Sequence, residues 1–408
     1  IYHKALDVFR LWFVTQFVTI RIKVLRKYLK KSDNWYRIIN IIIKKKGRKM
    51  KFIHIADIHF DSPFVNLTDR ESLGDLKRLE QRKVFKKVID YIKENNIEML
   101  FISGDVYEQK YIRKSTIEYI NNLFKEIPNT KIFISPGNHD PYIKNSYYNR
   151  FKWNENVHIF NSKIERIEVN DIDVYGYGFD DFYCTDCGIE DLEIENKNKT
   201  NILVIHSTID GANIKEKQYN SISRKLLEEK GFDYVATGHI HKLDYNSYEN
   251  QKIVYPGSLI SLGFDEIGKH GMIVGEIEKE KLELEFIPLS EDDFVEKNVD
   301  ITDIISKDEL VEKINELKIA NNELVKIILV GKRNFEIDKY EIYKLVLNER
   351  IIKIKDHTKI KYDLEKIANN NSLKGLFAKE MLKEKENASE ENIDIIEKAV
   401  EIAFEALE

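Results

Sequence analysis

Cysteine is almost absent from this sequence, with two in 408 residues. Two cysteines cannot build a disulfide framework, which favours a reducing compartment such as the cytoplasm. They form the segment Cys184-Thr185-Asp186-Cys187, but a structural zinc site takes about four ligands and no second pair lies nearby in the sequence. We therefore interpret this segment as an ordinary loop with neither a redox nor a metal role.

Long apolar runs are also missing. The stretch Leu11 to Ile20 is only ten residues long and lies between Arg10 and Arg21, whereas a membrane-spanning helix takes about 20 apolar residues. The same stretch lacks the small-residue cleavage site of a secretory signal. A basic interfacial helix containing Trp12 is an alternative for this stretch, but we expect no membrane partner.

Acidic residues are scarce in the first 49 residues, which carry 14 Lys and Arg but only 2 Asp and Glu. The rest of the chain has the opposite balance, with 51 basic and 68 acidic residues. Because Met50 begins an ordinary strand and a Lys-rich segment precedes it, we expect residues 1–49 to be upstream sequence that is not native to the protein. The acidic remainder needs a locally basic surface or bound cations to hold a phosphate-rich partner.

The remaining chain alternates short apolar runs with longer stretches of helical periodicity, which is typical of a layered α/β fold with a mixed sheet. Helices are predicted at Asp75–Asn95 and Lys114–Glu126. The predicted strands are Lys51–Ala56, Met99–Ser103, Lys131–Ser135, Asn201–His206, Tyr234–Thr237, Ile253–Tyr255 and Met272–Ile277, with hairpins between Val157 and Gly178.

The composition changes after Pro288, which predicts three parts after residue 49. A main domain covers residues 50–289, and a small α/β unit covers residues 290–361, entered by the linker-like LSEDDFVEKNVDITD. Residues 362–408 form two helices, Tyr362–Lys385 and Glu390–Leu407. The apolar side of the last helix needs a cover, either from this chain or from a partner.

Polar residues of one chemical kind follow five of the predicted strands. They are Asp57 and His59, Asp105, Asn138 with His139 and Asp140, His206, and His239 with His241. In open α/β sheets ligands bind at the carboxyl ends of strands. The glycine before three of these motifs lets the backbone approach closely.

Carboxylate, imidazole and amide ligands suit Mn, Fe or Zn better than calcium. Two such metals about 3.5–4 Å apart can activate water and clamp a phosphate. One DxH or GD motif alone is common and means little, but the ordered set at successive strand ends predicts a site with two divalent metals.

These motifs resemble those of the calcineurin-type metallophosphoesterase superfamily, and more narrowly the nuclease subunits of SbcCD-type DNA repair exonucleases, in particular the YhaO-like branch. The resemblance rests on KFIHIADIHFDSPF, ISGDVYE, SPGNHDPY, ILVIHSTIDG, DYVATGHIHK and YPGSLISLGFDEIGKHG. It covers Met50 to about Pro288 strongly and the rest only in outline. It implies a four-layer α/β sandwich of mixed sheets, a small α/β capping domain at 290–361, and C-terminal helices at 362–408 that bind an SMC-like ATPase.

The resemblance also implies roles for single residues. One metal, most often Mn²⁺ in such sites, would be held by Asp57, His59, Asp105 and His241. The second would be held by the bridging Asp105 together with Asn138, His206 and His239. His139 would act on the leaving oxygen without binding metal, and Asp140 would orient the His139 ring.

One segment departs from the family, since relatives often have Asp-Leu-Phe-Asp where this chain has Asp105-Val106-Tyr107-Glu108. The ligand is kept, and the loop that follows it differs.

The leading interpretation is a Mn-dependent DNA exonuclease or endonuclease subunit that works with an SMC-like ATPase. Two alternatives stay open: a stand-alone phosphoesterase for a small or protein substrate, and a non-catalytic scaffold that binds DNA ends. The long C-terminal extension favours the nuclease over the first, and the complete ligand set favours it over the second. The family suggests a homodimer through the helix at Asp75–Asn95 or at Lys114–Glu126, and the sequence does not choose between them.

Overall fold

The structure is a computed structural model that describes residues 49–64, 73–185, 188–210, 219–249, 251–279 and 281–407. The prediction about the basic segment 1–49 therefore lies outside the described residues, apart from Lys49. Cys187 also lies outside the described residues, whereas Cys184 is described and has a buried free thiol.

The described residues form helices and strands throughout the chain. The helices are α1 Leu73–Asn95, α2 Lys114–Lys125, α3 Tyr147–Arg150, α4 Arg224–Lys230, α5 Lys307–Asn315, α6 Lys339–Leu345, α7 Leu364–Ala368, α8 Leu373–Glu386 and α9 Glu390–Ala406. The strands are β1 Met50–Ile55, β2 Met99–Ile102, β3 Lys131–Ile134, β4 Val157–Ile159, β5 Glu165–Val169, β6 Ile172–Tyr177, β7 Thr200–His206, β8 Thr208–Ile209, β9 Ser221–Ile222, β10 Tyr234–Gly238, β11 Ile253–Val254, β12 Gly271–Glu278, β13 Lys281–Pro288, β14 Asp293–Asp300, β15 Glu323–Val330, β16 Lys332–Arg333, β17 Ile351–Asp356 and β18 Lys359–Ile360.

Two sheets face each other in the main part of the chain. One has the strand order β13-β12-β1-β2-β3-β4 and the other has the order β11-β10-β7-β6-β5. Successive side chains of a strand point to opposite faces, so in β1 Phe52 packs toward the second sheet while Ile53 and Ile55 pack toward α1 and α2. The outer face of the second sheet carries a third core with Leu227 of α4. The predicted four-layer α/β sandwich is confirmed.

Both sheets are mixed, as the sequence predicts. Strands β1 to β4 run parallel, while β12 and β13 join them antiparallel. The prediction of hairpins between residues 157 and 178 is only partly right. Strands β5 and β6 do form a hairpin, but β4 extends the first sheet beside β3 because its residues continue the parallel register Ile132 to Val157.

A third sheet, β14-β15-β17, lies beyond Pro288. The predicted linker is wrong, because residues 293–300 are the strand β14, which pairs with β15 along its whole length. Phe294 of this strand is fully buried against Phe64, Leu73 and Phe264 of the main part. The sheet also has its own core with α5 and α6.

The C-terminal residues form three helices where the sequence predicts two. The predicted helix Tyr362–Lys385 is divided into α7 and α8 because Asn369 to Ser372 interrupt it and the Ser372 side chain caps α8 at the Gly375 N–H. Val400 and Phe404 of α9 pack against α7 and α8 in a small separate core. No helix among the described residues is long and apolar enough to span a bilayer.

Candidate metal centre

The polar residues singled out from the sequence meet at one edge of the two facing sheets. Strands β1, β2 and β3 are parallel neighbours, and so are β7 and β10. The segments that follow them therefore leave the sheets at the same end. The observed juxtaposition follows directly from this shared strand direction.

The first group of side chains contains Asp57, His59 and His241, whose ligand atoms all lie within 4.8 Å of one another. The Nε2 atoms of His59 and His241 face each other at 3.1 Å. Two ring nitrogens at this distance need a shared proton or a cation between them. All three side chains are largely withdrawn from solvent.

The second group contains Asp57, Asp105 and His206. The Nε2 atom of His206 lies 3.0 Å from the Asn138 Oδ1 atom and 3.4 Å from Asp105 Oδ2. The same Asp105 oxygen lies 3.7 Å from His59 Nε2. Asp57 belongs to both groups, and Asp105 of the second group also lies near His59 of the first, so either carboxylate could serve two metals.

His239 is placed differently from the other histidines. Its ring lies beside the His206 ring at a centroid distance of 5.2 Å, and its backbone N–H donates to the Asp57 carboxylate at 3.1 Å. Its ring nitrogens belong to none of the close groups among the described residues, whereas His139 joins His59 and Asp105 in one. The backbone of His239 has φ 100°.

Backbone strain is concentrated at these positions. Asp57, His59 and Asp105 have φ of 50°, 52° and 52°, in the left-handed region that non-glycine residues rarely adopt. Such residues cost of order 1–3 kcal/mol each, and they cluster at functional sites. The strain at these three positions lowers the stability of the fold, and it directs the three side chains to one place.

Two glycines make room for the constellation. A Cβ atom on Gly137 would lie 2.3 Å from Asp105 Oδ1, and one on Gly104 would lie 2.3 Å from the His206 ring. Gly104 also has φ +87°, which only glycine adopts at little cost. The close backbone approach expected from the sequence is present at both positions.

Acceptors outside the centre fix the ring orientations. Nδ1 of His59 contacts Glu108 at 2.8 Å, Nδ1 of His206 contacts the Ser103 carbonyl at 2.9 Å, and Nδ1 of His241 contacts Glu266. Each ring therefore keeps its proton on Nδ1 and presents Nε2 to the centre, which is the arrangement of metal-binding histidines. These residues fit a pair of divalent cations.

Glu108 has a second contact that sequence reasoning missed. Its other oxygen accepts from Nδ1 of His139 at 3.0 Å, so one carboxylate holds the rings of His59 and His139. Burial opposes ionisation of Glu108, but the two histidine contacts outweigh it and lower its pKa to about 2. The only sequence signal for this role of Glu108 was its position three residues after Asp105. No sequence signal indicated that Glu266 contacts His241.

The expectation that Asp140 orients the His139 ring is wrong. The buried Asp140 carboxylate accepts hydrogen bonds from the backbone N–H groups of Gly137, Asp105 and Val106 and from the Tyr148 hydroxyl. These four donors occupy both of its oxygens. Through these hydrogen bonds Asp140 joins the loop that carries Asn138 and His139 to the loop that carries Asp105.

His139 stands at the rim of the centre, with its side chain 44% exposed. Burial lowers its pKa, but the hydrogen bond from its ring to Glu108 and the nearby Asp105 carboxylate outweigh burial and raise the pKa to about 9. The ring is thus held at one end and open to solvent at the other.

Comparison with known proteins agrees with this chemistry. Residues 50–243 match the family of calcineurin-like phosphoesterases. The uncharacterized metallophosphoesterase YhaO of Bacillus subtilis is 24% identical over 251 residues, which are 58% of this chain and 60% of that protein. A subunit of the nuclease SbcCD from Staphylococcus saprophyticus is 27% identical over 276 residues, which are 59% of this chain and 69% of that protein.

Among solved structures, purple acid phosphatase PPD1 from yellow lupin seeds aligns with a TM-score of 0.37 and 11% identity, over 60% of this chain and 52% of that one. Of its relatives in sequence, the chain spans 60% of the length of YhaO and 69% of the length of the SbcCD subunit.

Proposed function

Because residues 50–243 form a calcineurin-like phosphoesterase domain, we propose that the chain is the nuclease subunit of a DNA repair exonuclease, with Mn²⁺ as its metal and an SMC-like ATPase as its partner. The coarser activity, hydrolysis of phosphoesters at a centre for two divalent metals, follows from the family. The observation that carries the proposal is the convergence of His59, His206 and His241 on the two carboxylates Asp57 and Asp105.

We assign Asp57, His59, Asp105 and His241 to one metal, and Asp105, Asn138, His206 and His239 to the other. The closeness of Asp105 Oδ2 to both His59 Nε2 and His206 Nε2 supports its bridging role. When bound, two such metals stabilise negative charge on a phosphate and make a water more acidic. Imidazole-rich sites favour Mn²⁺ over Mg²⁺, which prefers oxygen ligands and keeps its waters.

His139 acts on the leaving group in this proposal. Glu108 holds its Nδ1 atom, so the ring presents Nε2 to the leaving oxygen and can give it a proton. Asp140 keeps the His139 loop in place through the backbone contacts described above. His139 thereby donates the proton, and Asp140 positions the loop that carries His139.

A lysine-lined cleft next to the centre supports an anionic polymer as the substrate. Lys353 and Lys355 line a cleft of ≈ 300 Å³ with two loops of the main domain, together with Asp265 and with Lys326, whose buried ammonium pairs with Glu296. One of these loops follows His59 and the other precedes Glu266, the residue that contacts His241. Local positive charge of this kind compensates for the acidic remainder of the chain.

The experiment compares purified protein stripped of metal and reloaded with Mn²⁺ or Mg²⁺, using linear DNA and bis-nitrophenyl phosphate as substrates. We expect hydrolysis of both with Mn²⁺ and little with Mg²⁺. Asp105→Ala is expected to lose both metals and all activity, because its carboxylate serves both sites. Asp75→Ala, which removes an exposed carboxylate paired with Arg78, is the matched control.

Other results would select the alternatives. Hydrolysis of small phosphomonoesters without hydrolysis of DNA would establish a stand-alone phosphoesterase. DNA binding without hydrolysis under any metal would establish a scaffold. Retention of one metal at full occupancy in Asp105→Ala would show that Asp105 does not bridge.

A further inference from the structure

Aromatic rings form a continuous series from the protein surface to the metal centre. Tyr183 stacks on Tyr219 with a centroid distance of 5.8 Å and an interplanar angle of 18°. Tyr219 meets the His239 ring at 5.2 Å, and His239 meets His206 at 5.2 Å. The Tyr183 ring is thus two ring contacts away from a proposed metal ligand.

The backbone holds the two tyrosines in register with the centre. Asn220, which is 1% exposed, donates its backbone N–H to the Cys184 carbonyl at 2.6 Å. Its side-chain amide donates to the His206 carbonyl at 3.3 Å. One buried residue therefore connects the Tyr183 loop, the Tyr219 segment and the end of β7.

Tyr183 nevertheless remains 58% exposed. By contrast, Tyr107, Tyr175 and Tyr234 are fully buried and serve the core. A large exposed ring that is kept flat against a second ring offers an apolar surface to a planar group. The position of the pair at the edge of the centre makes a bound substrate the natural occupant.

The charge around Tyr183 indicates which part of a substrate it contacts. Asp180 and Asp181 precede it, and no Lys or Arg occurs between Gly178 and Asn196. This loop therefore repels a phosphate backbone and suits a nucleobase, because every base has a face that stacks on an aromatic ring. The phosphates would be held at the metals and at the lysine-lined cleft.

We propose that Tyr183 and Tyr219 form a stacking platform for the base of the nucleotide next to the scissile phosphate. This inference rests on the proposed nuclease function and adds a specificity to it. A base inside a duplex is already stacked on its neighbours, so the platform selects an unpaired nucleotide. The substrate class is therefore a single-stranded or frayed DNA end.

The test measures the affinity of the full-length protein for two labelled oligomers of equal length. One is oligothymidylate and the other carries an abasic tetrahydrofuran unit in place of every nucleoside. We expect the wild type to bind the thymidylate about 5- to 100-fold more tightly, the range for a stacked base. Tyr183→Ala should lose this preference without changing affinity for the abasic oligomer.

Two variants serve as controls. Tyr183→Phe keeps the ring and should keep the preference, while Tyr340→Ala removes a tyrosine that is 75% exposed on α6 and should change nothing. Metal content should be the same in all variants. Equal binding of the two oligomers by the wild type, or an unchanged preference in Tyr183→Ala, would overturn the platform.

The outcomes also separate this inference from the nuclease proposal. Base-dependent binding without hydrolysis of any DNA would support the platform and refute the nuclease. Hydrolysis of DNA by a wild type that ignores the base would do the reverse. A wild type that binds neither oligomer and hydrolyses no DNA would refute both.

Discussion

His59, His206 and His241 each turn Nε2 toward the centre because an acceptor on another segment takes Nδ1. The sequence shows where these histidines lie, since each stands at the end of a strand or shortly after it. It does not show their acceptors, because Glu266 and the Ser103 carbonyl lie far from their partners along the chain. The role that the resemblance implies for Asp140 is wrong for the same reason, since the loop geometry directs its carboxylate to backbone N–H groups and the Tyr148 hydroxyl.

The contrast with His54 shows how place decides the role of a histidine. His54 alternates with Phe52 in β1 and is fully buried between the sheets, where its ring meets the Tyr234 hydroxyl at 2.8 Å and the Ser103 hydroxyl at 3.1 Å. Burial lowers its pKa to about 3. His54 therefore serves the core, whereas His206 is the last residue of β7 and faces Asn138 and Asp105.

At this scale we predict that His139→Ala separates chemistry from binding. The variant should keep two metals and near-normal DNA affinity, because the proposed ligands remain. Its rate on DNA should fall by roughly 10²–10⁴, the span for loss of a general acid. The fall should be smaller for a nitrophenyl phosphodiester, whose leaving group departs without a proton.

Metal analysis and the ratio of the two rates decide this prediction. Loss of a metal would show that His139 is a ligand, as its closeness to His59 and Asp105 allows. Equal slowing of both substrates would show that it positions the phosphate. Lys152→Ala, on the loop before β4, serves as a surface control.

The strands are the elements that the sequence predicts best. Each of the seven strand predictions agrees with an observed strand to within a residue at either end, because buried strands read as apolar runs closed by glycine or polar residues. Strand β14 is not predicted from the sequence because it is the edge strand of its sheet. Only Phe294 and Val299 of its eight residues are buried, and charged residues on an edge strand resemble a linker.

At the scale of elements, the approach of the β3 end to the β2 end depends on Gly137. We predict that Gly137→Ala displaces Asp105, since the added Cβ would lie 2.3 Å from Asp105 Oδ1. A shift of about 1 Å at a catalytic centre costs roughly 100-fold in rate. Metal content and hydrolysis of a nitrophenyl phosphodiester should therefore fall together.

Gly74→Ala in α1 is the matched control, because a Cβ atom there would meet its nearest neighbours at 3.5 Å, an ordinary contact. This variant should keep full activity. Normal metal content and rate in Gly137→Ala would mean that the loop relaxes freely, and that the tight packing of the two strand ends is not required.

For the whole molecule, the main domain and the third sheet share a core. Phe294 packs with Phe64 and Phe264, and the buried Lys77 ammonium lies 5.1 Å from the Phe294 ring centroid. Cutting the chain after Asp300 would strip β14 of its partner β15 and expose this core. The division at residue 290 stays a prediction, and the C-terminal helices are better tested by surface substitutions.

Helices α8 and α9 carry apolar side chains on the surface even though their own core is closed. Leu373 and Leu376 are 68% and 64% exposed on one side of α8, and Ile395 is 65% exposed on α9. These residues lie outside the small core formed by Val400 and Phe404. They are the surface on which we place the ATPase partner.

We predict that Leu376→Glu and Ile395→Glu each weaken binding of a coiled-coil ATPase partner by about 10-fold or more, since burying a charge in an apolar contact is costly. Both residues are exposed, so metal content and hydrolysis of a nitrophenyl phosphodiester should stay at wild-type levels. Leu347→Glu, at a leucine that is 82% exposed in the third-sheet unit, should leave binding unchanged. Calorimetric titration of the partner into each variant measures the difference. Wild-type affinity in all three variants would place the partner on another surface. Weaker binding by Leu347→Glu alone would place the partner on the third-sheet unit.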